Sequence, residues 1–550
     1  MIRHVVLTGL SGSGKTSVAV HVSELLGWDL FDTDAEIERR TGRTIPDLFR
    51  GEGEARFREI ESVVLRDALT QERVVIATGG GAVVSPEAWT PDLLGSPESL
   101  VVWLDANPDI LVERLLEQAQ KEGVAADRPL LASGDTLERL TSMRDARASS
   151  YARADIVLEV SMRSSGAIAG DVAEMVRLAR GEESLVTLTV ENATSAIHVG
   201  IGSRHVIAGL LGQRWPRARQ IWIVIDGNVA PHMQPVIDTM REQSPARVNA
   251  MPVPPGEASK SLGGLSALYD WMLGDGVERG DVLVAMGGGM VGDLAGLAAA
   301  TTLRGIGLVQ VPTTLLSMVD SSVGGKTGIN HAAGKNLIGA FYQPPEVVID
   351  PELVATLPIR ERRSGWAEII KHAVIEASTP GGSPSVLFDV LERNAAPLSN
   401  LASPITPWVI RRNVSLKASV VEADEREAGI RAYLNFGHTI GHGIEAAGYS
   451  LLHGEAVAVG MAAALGIARE LGLIDAPYEE RVHALIGAYG LPLHADADPQ
   501  TVREKMLADK KKSGGRQRWV LPVKAGGVIL TSDVPPESID RALAGVARMG

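Results

Sequence analysis

The chain has 550 residues, more than one ordinary hydrophobic core accommodates, so two or three domains are expected. It carries 53 Lys and Arg against 67 Asp and Glu, and this acidic balance argues against general nucleic-acid binding. The sequence contains no cysteine, which excludes disulfides, iron–sulfur clusters, thiolate-bound zinc and cysteine nucleophiles. Any metal must therefore be held by histidine and carboxylate side chains.

No targeting or membrane segment is expected. Residues 1–10 form a predicted strand that runs directly into a motif, leaving no room for a secretory signal. Gly, Asp or Arg interrupts every apolar stretch well before the ~18 residues that a membrane span requires. The sequence therefore predicts a cytoplasmic protein without membrane contact.

Short apolar runs alternate with amphipathic patterns along most of the chain, which is typical of α/β folds. The predicted buried parallel strands are His4–Leu10, Val74–Ala77, Leu100–Leu104, Gln220–Ile225, Asp281–Met286 and Gly307–Val311. The segment Met162–Glu183 is helical and then charged, and a new strand begins at Leu185, which places a first boundary there. From about Glu352 helical patterns replace strands, so a second boundary falls near Asp350–Leu357.

A phosphate-binding motif follows the first strand. Residues 9–16 (GLSGSGKT) fit G-x-x-x-x-G-K-[ST] between a strand and a helical pattern. Backbone N–H groups of such a loop turn toward phosphate oxygens, Lys15 reaches the β- and γ-phosphates, and the Thr16 hydroxyl is placed for Mg²⁺. A glycine turn with a surface lysine is the alternative, but both flanks argue against it. The predicted nucleotide contacts are Gly12, Ser13, Gly14, Lys15, Thr16 and Ser17.

Five further features follow the loop within the first 165 residues. They are Phe31-Asp32-Thr33-Asp34, Phe57-Arg58-Glu59, Thr78-Gly79-Gly80-Gly81, Asp127-Arg128-Pro129, and Arg147 four residues before Tyr151. Each alone is compatible with an ordinary turn, helix ion pair or loop. Together, in this order and spacing, they resemble shikimate kinase over residues 1 to about 165. The resemblance implies ATP and Mg²⁺ as cofactors.

The resemblance gives these side chains roles that their chemistry supports. Asp32 can hold Mg²⁺ together with Thr16, and Asp34 can orient or deprotonate an acceptor hydroxyl. Arg128 matches the arginine of the family's mobile lid. With Lys15 and the metal it would neutralise the charge that develops on the transferring phosphoryl group.

The acceptor side indicates a small carboxylated polyol. Arg58 and Arg147 supply the forked donors that a carboxylate needs, and Gly80 permits close backbone approach. The implied reaction is phosphorylation of shikimate to shikimate 3-phosphate. A nucleotide kinase of similar fold is the alternative, but the paired aspartates and the two arginines argue against a nucleobase pocket.

A second glycine-rich turn lies in the middle of the chain. Gly287–Asp293 (GGGMVGD) follows an apolar strand and precedes a helix of small residues, an arrangement that can cradle a pyrophosphate. Its spacing is not G-x-G-x-x-G, so a purely structural turn stays open as an alternative. Asp226 with Asn228, and Glu257 with Lys260, are further polar candidates near strand ends.

A separate pattern predicts a metal site. His438 and His442 are four residues apart, on one helical face, His453 follows in a predicted loop, and Glu368 lies on a predicted helix. Three histidines and a glutamate without cysteine suit Zn²⁺ or another borderline divalent ion. The alternative is a set of ordinary helix histidines, and spacing leaves open which three of the four groups coordinate.

Between these patterns, residues 312–336 concentrate lysines among glycines, and the combination resembles dehydroquinate synthase over about residues 185–550. In that family NAD⁺ binds the N-terminal half and a single Zn²⁺, or Co²⁺, binds the helical half. The resemblance implies Glu368, His438 and His453 as metal ligands, with His442 as a catalytic or neighbouring histidine. The implied NAD⁺ contacts are Asp226, Asn228, Glu257, Lys260, Gly289, Gly292, Asp293, Thr313, Thr314 and Lys335. The groups implied around the phosphorylated substrate are Arg304, Asp320, Lys326, Lys335, Asn336, Lys371, Lys417, Arg431, Asn435 and one lysine of 510–512, of which Lys510 is taken as the candidate.

The implied reaction converts 3-deoxy-D-arabino-heptulosonate 7-phosphate to 3-dehydroquinate and phosphate. NAD⁺ oxidises one hydroxyl transiently and is regenerated, so the unit is a lyase without net redox change. A metal-dependent polyol dehydrogenase is the main alternative, and a non-catalytic module is another. The lysine cluster argues against the dehydrogenase because a small uncharged alcohol needs no such cluster, and the intact motifs argue against the non-catalytic module.

The predicted fold class is α/β with three domains: a P-loop kinase domain (1–165), a linker (166–184), an NAD-binding domain (185–355) and a mainly α-helical metal-binding domain (356–550). The expected partners are small-molecule substrates, without nucleic acid, and a homodimer through the second unit is a further hypothesis. The two implied steps belong to one pathway but are not consecutive, so we predict independent activities on one chain.

Overall fold

The computed structural model describes residues 1–122, 135–448, 450–512, 517–524 and 526–548, without the side chains of 121, 122 and 508–512. Arg128 and the side chain of Lys510 lie outside the described residues. The chain divides into two compact units. Unit 1 comprises Met1–Arg180, Glu392–Asn394 and Ser403–Ile405, and unit 2 comprises Gly181–Leu391, Ala395–Ala402 and Thr406–Gly550.

Unit 1 is a parallel sheet with helices. Its elements are β1 (His4–Thr8), α1 (Lys15–Leu26), β2 (Asp29–Asp32), α2 (Thr33–Thr41), α3 (Ile45–Ala68), β3 (Val74–Ala77), β4 (Ser99–Asp105), α4 (Pro108–Glu122), α5 (Thr136–Tyr151), β5 (Ile156–Glu159) and α6 (Ser165–Ala179). The strand order is β2-β3-β1-β4-β5, and every neighbouring pair is parallel. β1, β3 and β4 are buried along their whole length, as their continuous apolar runs predict.

Helix α6 occupies most of the segment predicted as a linker. The Ser164 hydroxyl accepts a hydrogen bond from the Ala167 N–H at its start, and Ile168, Val172 and Met175 are buried. The helix packs against α1, and the division between the units falls after Arg180. The end of unit 1 is therefore a packed helix.

Unit 2 begins with a seven-stranded sheet. Its elements up to the last sheet strand are β6 (Ser184–Val190), β7 (Ala193–Val199), α7 (Ile207–Arg214), β8 (Gln220–Asp226), α8 (Ala230–Gln243), β9 (Arg247–Val253), α9 (Leu262–Gly274), β10 (Val282–Gly287), α10 (Gly289–Thr301), β11 (Gly307–Pro312), β12 (Lys326–His331), β13 (Gly334–Phe341) and β14 (Glu346–Ile349). The order is β6-β7-β14-β11-β10-β8-β9. β6 and β7 are antiparallel, and the other neighbours are parallel. The carboxyl ends of β8, β10 and β11 therefore meet at one edge, where open α/β sheets bind ligands.

The rest of unit 2 is mainly helical. Its elements are α11 (Ile359–Ile375), α12 (Val386–Arg393), α13 (Ala395–Ser399), α14 (Thr406–Ala423), α15 (His438–Ala446), α16 (His453–Glu470), α17 (Ala476–Ala488), α18 (Pro499–Lys512), β15 (Trp519–Pro522), β16 (Val528–Thr531) and α19 (Pro536–Val546). The sequence analysis did not predict the antiparallel hairpins β12–β13 and β15–β16. No helix within the described parts of the chain is both long and apolar enough to cross a bilayer.

A partly buried histidine joins two neighbouring strands of the unit 2 sheet, β7 and β14. The His198 ring lies 2.6 Å from Glu183 Oε1 through Nδ1 and 3.0 Å from Glu346 Oε2 through Nε2. These two hydrogen bonds outweigh the cost of burial and raise the pKa of His198 to about 9. The charged ring thus joins β7 to β14.

This raised pKa predicts a pH-dependent contribution to stability. The contribution is complete below the ordinary histidine pKa and disappears as the pH rises through about 9. We expect His198→Gln to destabilise unit 2 by about 1–3 kcal/mol at pH 6 and hardly at all at pH 10. Calorimetric unfolding of the full chain at both pH values measures this, with the exposed His205→Gln as control. An equal loss at both pH values would contradict the assignment.

Candidate active sites

The phosphate-binding loop of unit 1 lies between β1 and α1. Gly9 (φ 145°) and Gly12 (φ 84°) adopt backbone conformations that favour glycine. A Cβ on Gly9 would collide with the Leu104 carbonyl oxygen, and one on Gly12 would come within 3.0 Å of the Leu111 carbonyl oxygen. The Lys15 ammonium donates to the carbonyl oxygens of Gly9 and Leu10, both at 3.0 Å, so it lies over the loop.

Two predicted Mg²⁺ ligands lie side by side. The Thr16 hydroxyl donates to Asp32 Oδ2 at 3.0 Å. Asp32 Oδ1 accepts from the backbone N–H groups of Asp34 and Ala35, which fixes the carboxylate at the start of α2. A hydroxyl and an oriented carboxylate are oxygen donors of the kind that Mg²⁺ prefers, so these residues fit the ion.

The acceptor side of this site is arranged around the Gly79–Gly81 turn after β3. The Asp34 carboxylate faces Gly79, where an added Cβ would lie 2.8 Å from its Oδ1. Arg147 donates to the Gly80 carbonyl oxygen at 2.9 Å, and Arg58 packs so closely against Gly81 that a Cβ there would collide with its guanidinium. The structure therefore brings together Asp34, Arg58, Gly80 and Arg147.

Glu61 is a member of this site that the sequence analysis missed. It is buried, and its Oε2 accepts from Arg58 Nη1 at 2.6 Å. Burial raises the pKa of Glu61, while the attraction of Arg58 acts in the opposite direction. Its spacing of three residues from Arg58 on α3 is the signal that could have identified it.

In unit 2 the second glycine-rich turn forms a cradle at the carboxyl edge of the sheet. A Cβ on Gly288 would lie 3.0 Å from Thr314 Cγ2, and one on Gly289 would lie 2.9 Å from Ser321 Oγ. The backbone N–H of Thr313 donates to the Gly287 carbonyl oxygen at 2.9 Å, which joins the ends of β10 and β11. Helix α10 starts directly at this turn, as a pyrophosphate site requires.

Other predicted NAD⁺ contacts lie on the same edge. Asp226 ends β8 and accepts from the Asn228 N–H at 2.8 Å. The Lys260 ammonium donates to Asp293, and Glu257 Oε1 lies 3.9 Å from it. Burial raises the pKa of Asp293 against the attraction of Lys260. Gly292 is also on α10, where a Cβ would lie 2.8 Å from Gln310 Oε1.

Glu368, His438 and His453 converge on one point. Nε2 of His438 and Nε2 of His453 lie 3.6 and 3.4 Å from Glu368 Oε1. That oxygen is buried and has no hydrogen-bond partner among the described residues. Burial lowers the pKa of His438 to about 3, which keeps its imidazole in the neutral form that binds metals. The three groups fit Zn²⁺ or Co²⁺.

Each ligand is positioned by a different element. Glu368 is on α11, His438 begins α15, and His453 begins α16 rather than lying in a loop as predicted. The Phe436 carbonyl oxygen lies 3.1 Å from His438 Nδ1. His442 is exposed one helical turn later, with its ring centroid 5.2 Å from that of His438.

A charged cluster adjoins the metal ligands. Lys371 donates to Glu368 Oε2 and lies 3.8 Å from Asp320 Oδ1, which also accepts from Lys417 at 2.7 Å. Burial would raise the pKa of Asp320, but the two lysines outweigh it and hold that pKa below its usual range. Burial lowers the pKa of Lys417 to about 8 although Asp320 opposes the shift.

Glu427 is a second glutamate that the sequence analysis missed, and it contacts two of the predicted substrate-binding side chains. Glu427 accepts from Lys326 and, at 2.6 Å, from Asn435 Nδ2. Its φ of 62° is rare outside glycine and indicates that surrounding contacts enforce the position. Arg431 is buried nearby and donates to the Gly324 carbonyl oxygen at 3.0 Å.

Three residues that were predicted to surround the substrate lie outside the charged cluster of Asp320, Lys371 and Lys417. Lys335 and Asn336 are at the start of β13, where Lys335 lies 3.2 Å from Glu445 Oε1 and the Asn336 N–H donates to Asn330. Arg304 is exposed beyond α10. Within the part of the chain that the structure describes, no ion pair joins it to Asp320, the carboxylate that pairs with Lys371 and Lys417.

Comparison with known proteins finds a family match in each unit. The shikimate kinase family profile matches residues 11–177, and profiles of the 3-dehydroquinate synthase N-terminal and C-terminal regions match residues 250–364 and 365–512. The 3-dehydroquinate synthase of Nostoc punctiforme is 44% identical over 334 residues, 60% of this chain and 90% of that protein.

Two solved structures resemble unit 2. A 2-epi-5-epi-valiolone synthase from Streptomyces hygroscopicus with NAD⁺ and Zn²⁺ bound is 28% identical, with 65% of this chain and 98% of that chain covered and a TM-score of 0.57. A 2-deoxy-scyllo-inosose synthase complexed with carbaglucose-6-phosphate, NAD⁺ and Co²⁺ is 25% identical, with 66% and 100% covered and a TM-score of 0.57.

These matches decide against the nucleotide-kinase and polyol-dehydrogenase alternatives. Shikimate kinases use ATP and Mg²⁺, and the two solved structures contain NAD⁺ with Zn²⁺ or Co²⁺. The chain belongs to the 3-dehydroquinate synthase family and carries an N-terminal shikimate kinase domain. It is a bifunctional enzyme of aromatic amino-acid biosynthesis that phosphorylates shikimate and converts 3-deoxy-D-arabino-heptulosonate 7-phosphate to 3-dehydroquinate.

Proposed function

We propose that the two activities are independent and that each is carried out by the side chains of one unit. The observation that supports this is that the described residues of each site lie within one unit. The P-loop, Asp34 and the two arginines belong to unit 1, whereas the glycine cradle, the metal ligands and the lysine cluster belong to unit 2. The proposed domain limits are those given by the sequence, with α6 assigned to the kinase.

In the kinase, Thr16 and Asp32 would hold Mg²⁺, which would neutralise negative charge on the phosphates of ATP. Lys15 exchanges its carbonyl partners for the β- and γ-phosphate oxygens, since a charged acceptor binds an ammonium more strongly. Asp34 accepts the proton of the attacking hydroxyl. Arg128 is proposed to close over the transferring phosphoryl group.

Arg58 and Arg147 bind the shikimate carboxylate, and the Gly80 backbone lies against the ring. Glu61 holds the Arg58 guanidinium in place through an ion pair, so the N–H donors of Arg58 are oriented before the substrate binds. This pre-organisation reduces the entropy lost on binding.

In the synthase, the glycine cradle and Asp226 bind NAD⁺, while Glu368, His438 and His453 would hold the metal, which polarises the hydroxyl to be oxidised. Lys326, Arg431 and Asn435 bind the phosphate of the substrate. Their contacts with Glu427 keep two of these donors oriented until the phosphate replaces that carboxylate.

Proton movement in the synthase is assigned to the lysine cluster and to His442. Lys417, with a pKa of about 8, can give or take a proton near neutral pH. Asp320 holds its ammonium through a hydrogen bond, and Lys371 lies 3.8 Å from the same carboxylate. The bound NAD⁺ would supply a transient oxidation that is reversed within the same turnover, so NADH would not accumulate.

A cytoplasmic location and a homodimer through the synthase unit are also proposed. The supporting observation for the dimer is that Leu337 and Phe341 on β13 are about half exposed. Exposure of large apolar side chains to water is unfavourable, and a second copy of the chain could cover them.

Lys15→Ala separates the two activities. We expect it to lower the kinase kcat by at least about 10³-fold, because the phosphates lose their main cationic contact. Phosphate release from the heptulosonate phosphate is expected to stay within about twofold. The control is the exposed Arg50→Ala in α3, which should affect neither assay. Loss of both activities in Lys15→Ala would show that the units are coupled.

Glu61→Gln tests the carboxylate pocket. Removing the charge that orients Arg58 should raise the KM for shikimate by about 10-fold with little change in the KM for ATP. Steady-state kinetics measure both constants. Glu59→Gln is a matched control, since Glu59 pairs with the exposed Arg56. A rise in both KM values would indicate a general disturbance of the fold instead.

His438→Ala tests the metal ligands. We expect Zn²⁺ measured by mass spectrometry to fall below about 0.1 per chain and synthase activity to disappear, since a metal bound by two groups is held far more weakly. Kinase activity with Mg²⁺ is expected to remain. Full metal content in the variant would overturn the assignment of the three ligands.

A further inference from the structure

Glu445 lies between a metal ligand and the hairpin that carries Lys335. Its Oε2 is 3.1 Å from His453 Nδ1, and its Oε1 accepts from Lys335 Nζ at 3.2 Å. Its side chain is only 12% exposed, so water competes little for the contact with His453, whereas the Lys335 side chain is 57% exposed. None of the roles assigned above uses this carboxylate.

The contact fixes the tautomer of His453. An ionised carboxylate can only accept a hydrogen bond, so the Nδ1 that faces Glu445 must carry the hydrogen. Nε2 faces Glu368 Oε1, 3.4 Å away, and would direct its lone pair at a metal ion held between the two groups. His438 obtains the same orientation from the Phe436 carbonyl oxygen, which is fixed backbone. The orientation of His453 depends instead on a side chain.

That side chain is held by the hairpin β12–β13. Beside Lys335, Asn336 has a φ of 56°, and its N–H donates to Asn330 Oδ1 at 2.9 Å. Asn330 Nδ2 donates in turn to Glu257 Oε1 at 2.7 Å, a proposed NAD⁺ contact. A continuous series of contacts therefore leads from the cofactor side, through residues 330–336, to His453.

We propose that Glu445 is a positioning residue for the metal site and that, through Lys335, it makes metal affinity depend on the hairpin. The proposal rests on the proposed metal ligands. A carboxylate that accepts from the far nitrogen of a ligating histidine orients the ring and increases its basicity, and loss of such a partner weakens metal binding by about 10–100-fold. Lys335 restricts the carboxylate to the position in which it can do this.

Glu445 could instead coordinate the metal itself, because Glu445, His442 and His453 also have ligand atoms within 4.8 Å of one another. The geometry favours the positioning role. Glu445 lies on the Nδ1 side of His453, whereas Glu368 lies on the Nε2 side. A ring that binds one ion through Nε2 leaves Nδ1 for the carboxylate.

The test is a titration of the metal-free full chain with Zn²⁺ against a chromophoric chelator, without substrate, together with the visible absorption of the Co²⁺ form. We expect Glu445→Gln to weaken Zn²⁺ binding about 10-fold and to retain the Co²⁺ absorption bands. The control is Glu455→Gln, since Glu455 is on the same helix as His453 but pairs with Arg360, and its affinity should stay within twofold.

Lys335→Met tests the link to the hairpin. We expect it to weaken Zn²⁺ binding about threefold, and the double variant with Glu445→Gln to bind no more weakly than Glu445→Gln alone, since both changes act through one contact. Additive losses would overturn the link. An unchanged affinity in Glu445→Gln, or complete loss of metal as expected for His438→Ala, would overturn the positioning role. Failure of His438→Ala to lose metal would instead overturn the ligand assignment.

Discussion

The chemistry of the second unit depends on one buried carboxylate. Glu368 has no solvent exposure, and an isolated charge in such a position is strongly disfavoured. Burial would raise its pKa, but Lys371 and the histidines outweigh burial and hold that pKa well below the usual range. One oxygen faces Lys371 and the other faces the two Nε2 atoms. A divalent cation between these groups completes the compensation, so the same residue joins the metal site to the lysine cluster.

The parallel sheets explain why distant residues meet. In each unit the functional loops follow strands whose carboxyl ends lie at one edge: Gly9 after β1 and Gly79 after β3 in the kinase, Asp226 after β8 and Gly287 after β10 in the synthase. Backbone N–H groups at these edges can face phosphates, and helices α1 and α10 add the positive end of their dipoles. An acidic chain can therefore bind anionic substrates locally.

The α/β class and the parallel strands were predicted from the sequence and are confirmed. The prediction was possible because a continuous apolar run followed by a glycine turn is typical of a buried parallel strand. The grouping of Glu368 with His438 and His453 in the structure follows the resemblance, whereas spacing alone left four candidates. Residue roles stay predictions until they are tested. The hairpin β12–β13 was not predicted because its three glycines and its polar residues weaken the strand pattern.

The residues that sequence reasoning missed are all glutamates that orient another side chain: Glu61, Glu427 and Glu445. Such residues carry no motif, because their partners are set by tertiary packing. Glu427 meets a lysine 101 positions away, and Glu445 meets one 110 positions away. Of these contacts, only the Arg58–Glu61 pair could have been predicted from sequence spacing, because its members are one helical turn apart.

The central claim is that one chain combines a kinase with a lyase that regenerates its own NAD⁺. The most direct measurement follows phosphate and NADH together as the purified chain consumes 3-deoxy-D-arabino-heptulosonate 7-phosphate in the presence of NAD⁺ and Zn²⁺. The account predicts one phosphate released per substrate with no accumulation of NADH, in the same preparation that phosphorylates shikimate. NADH formed in proportion to the substrate consumed would contradict it.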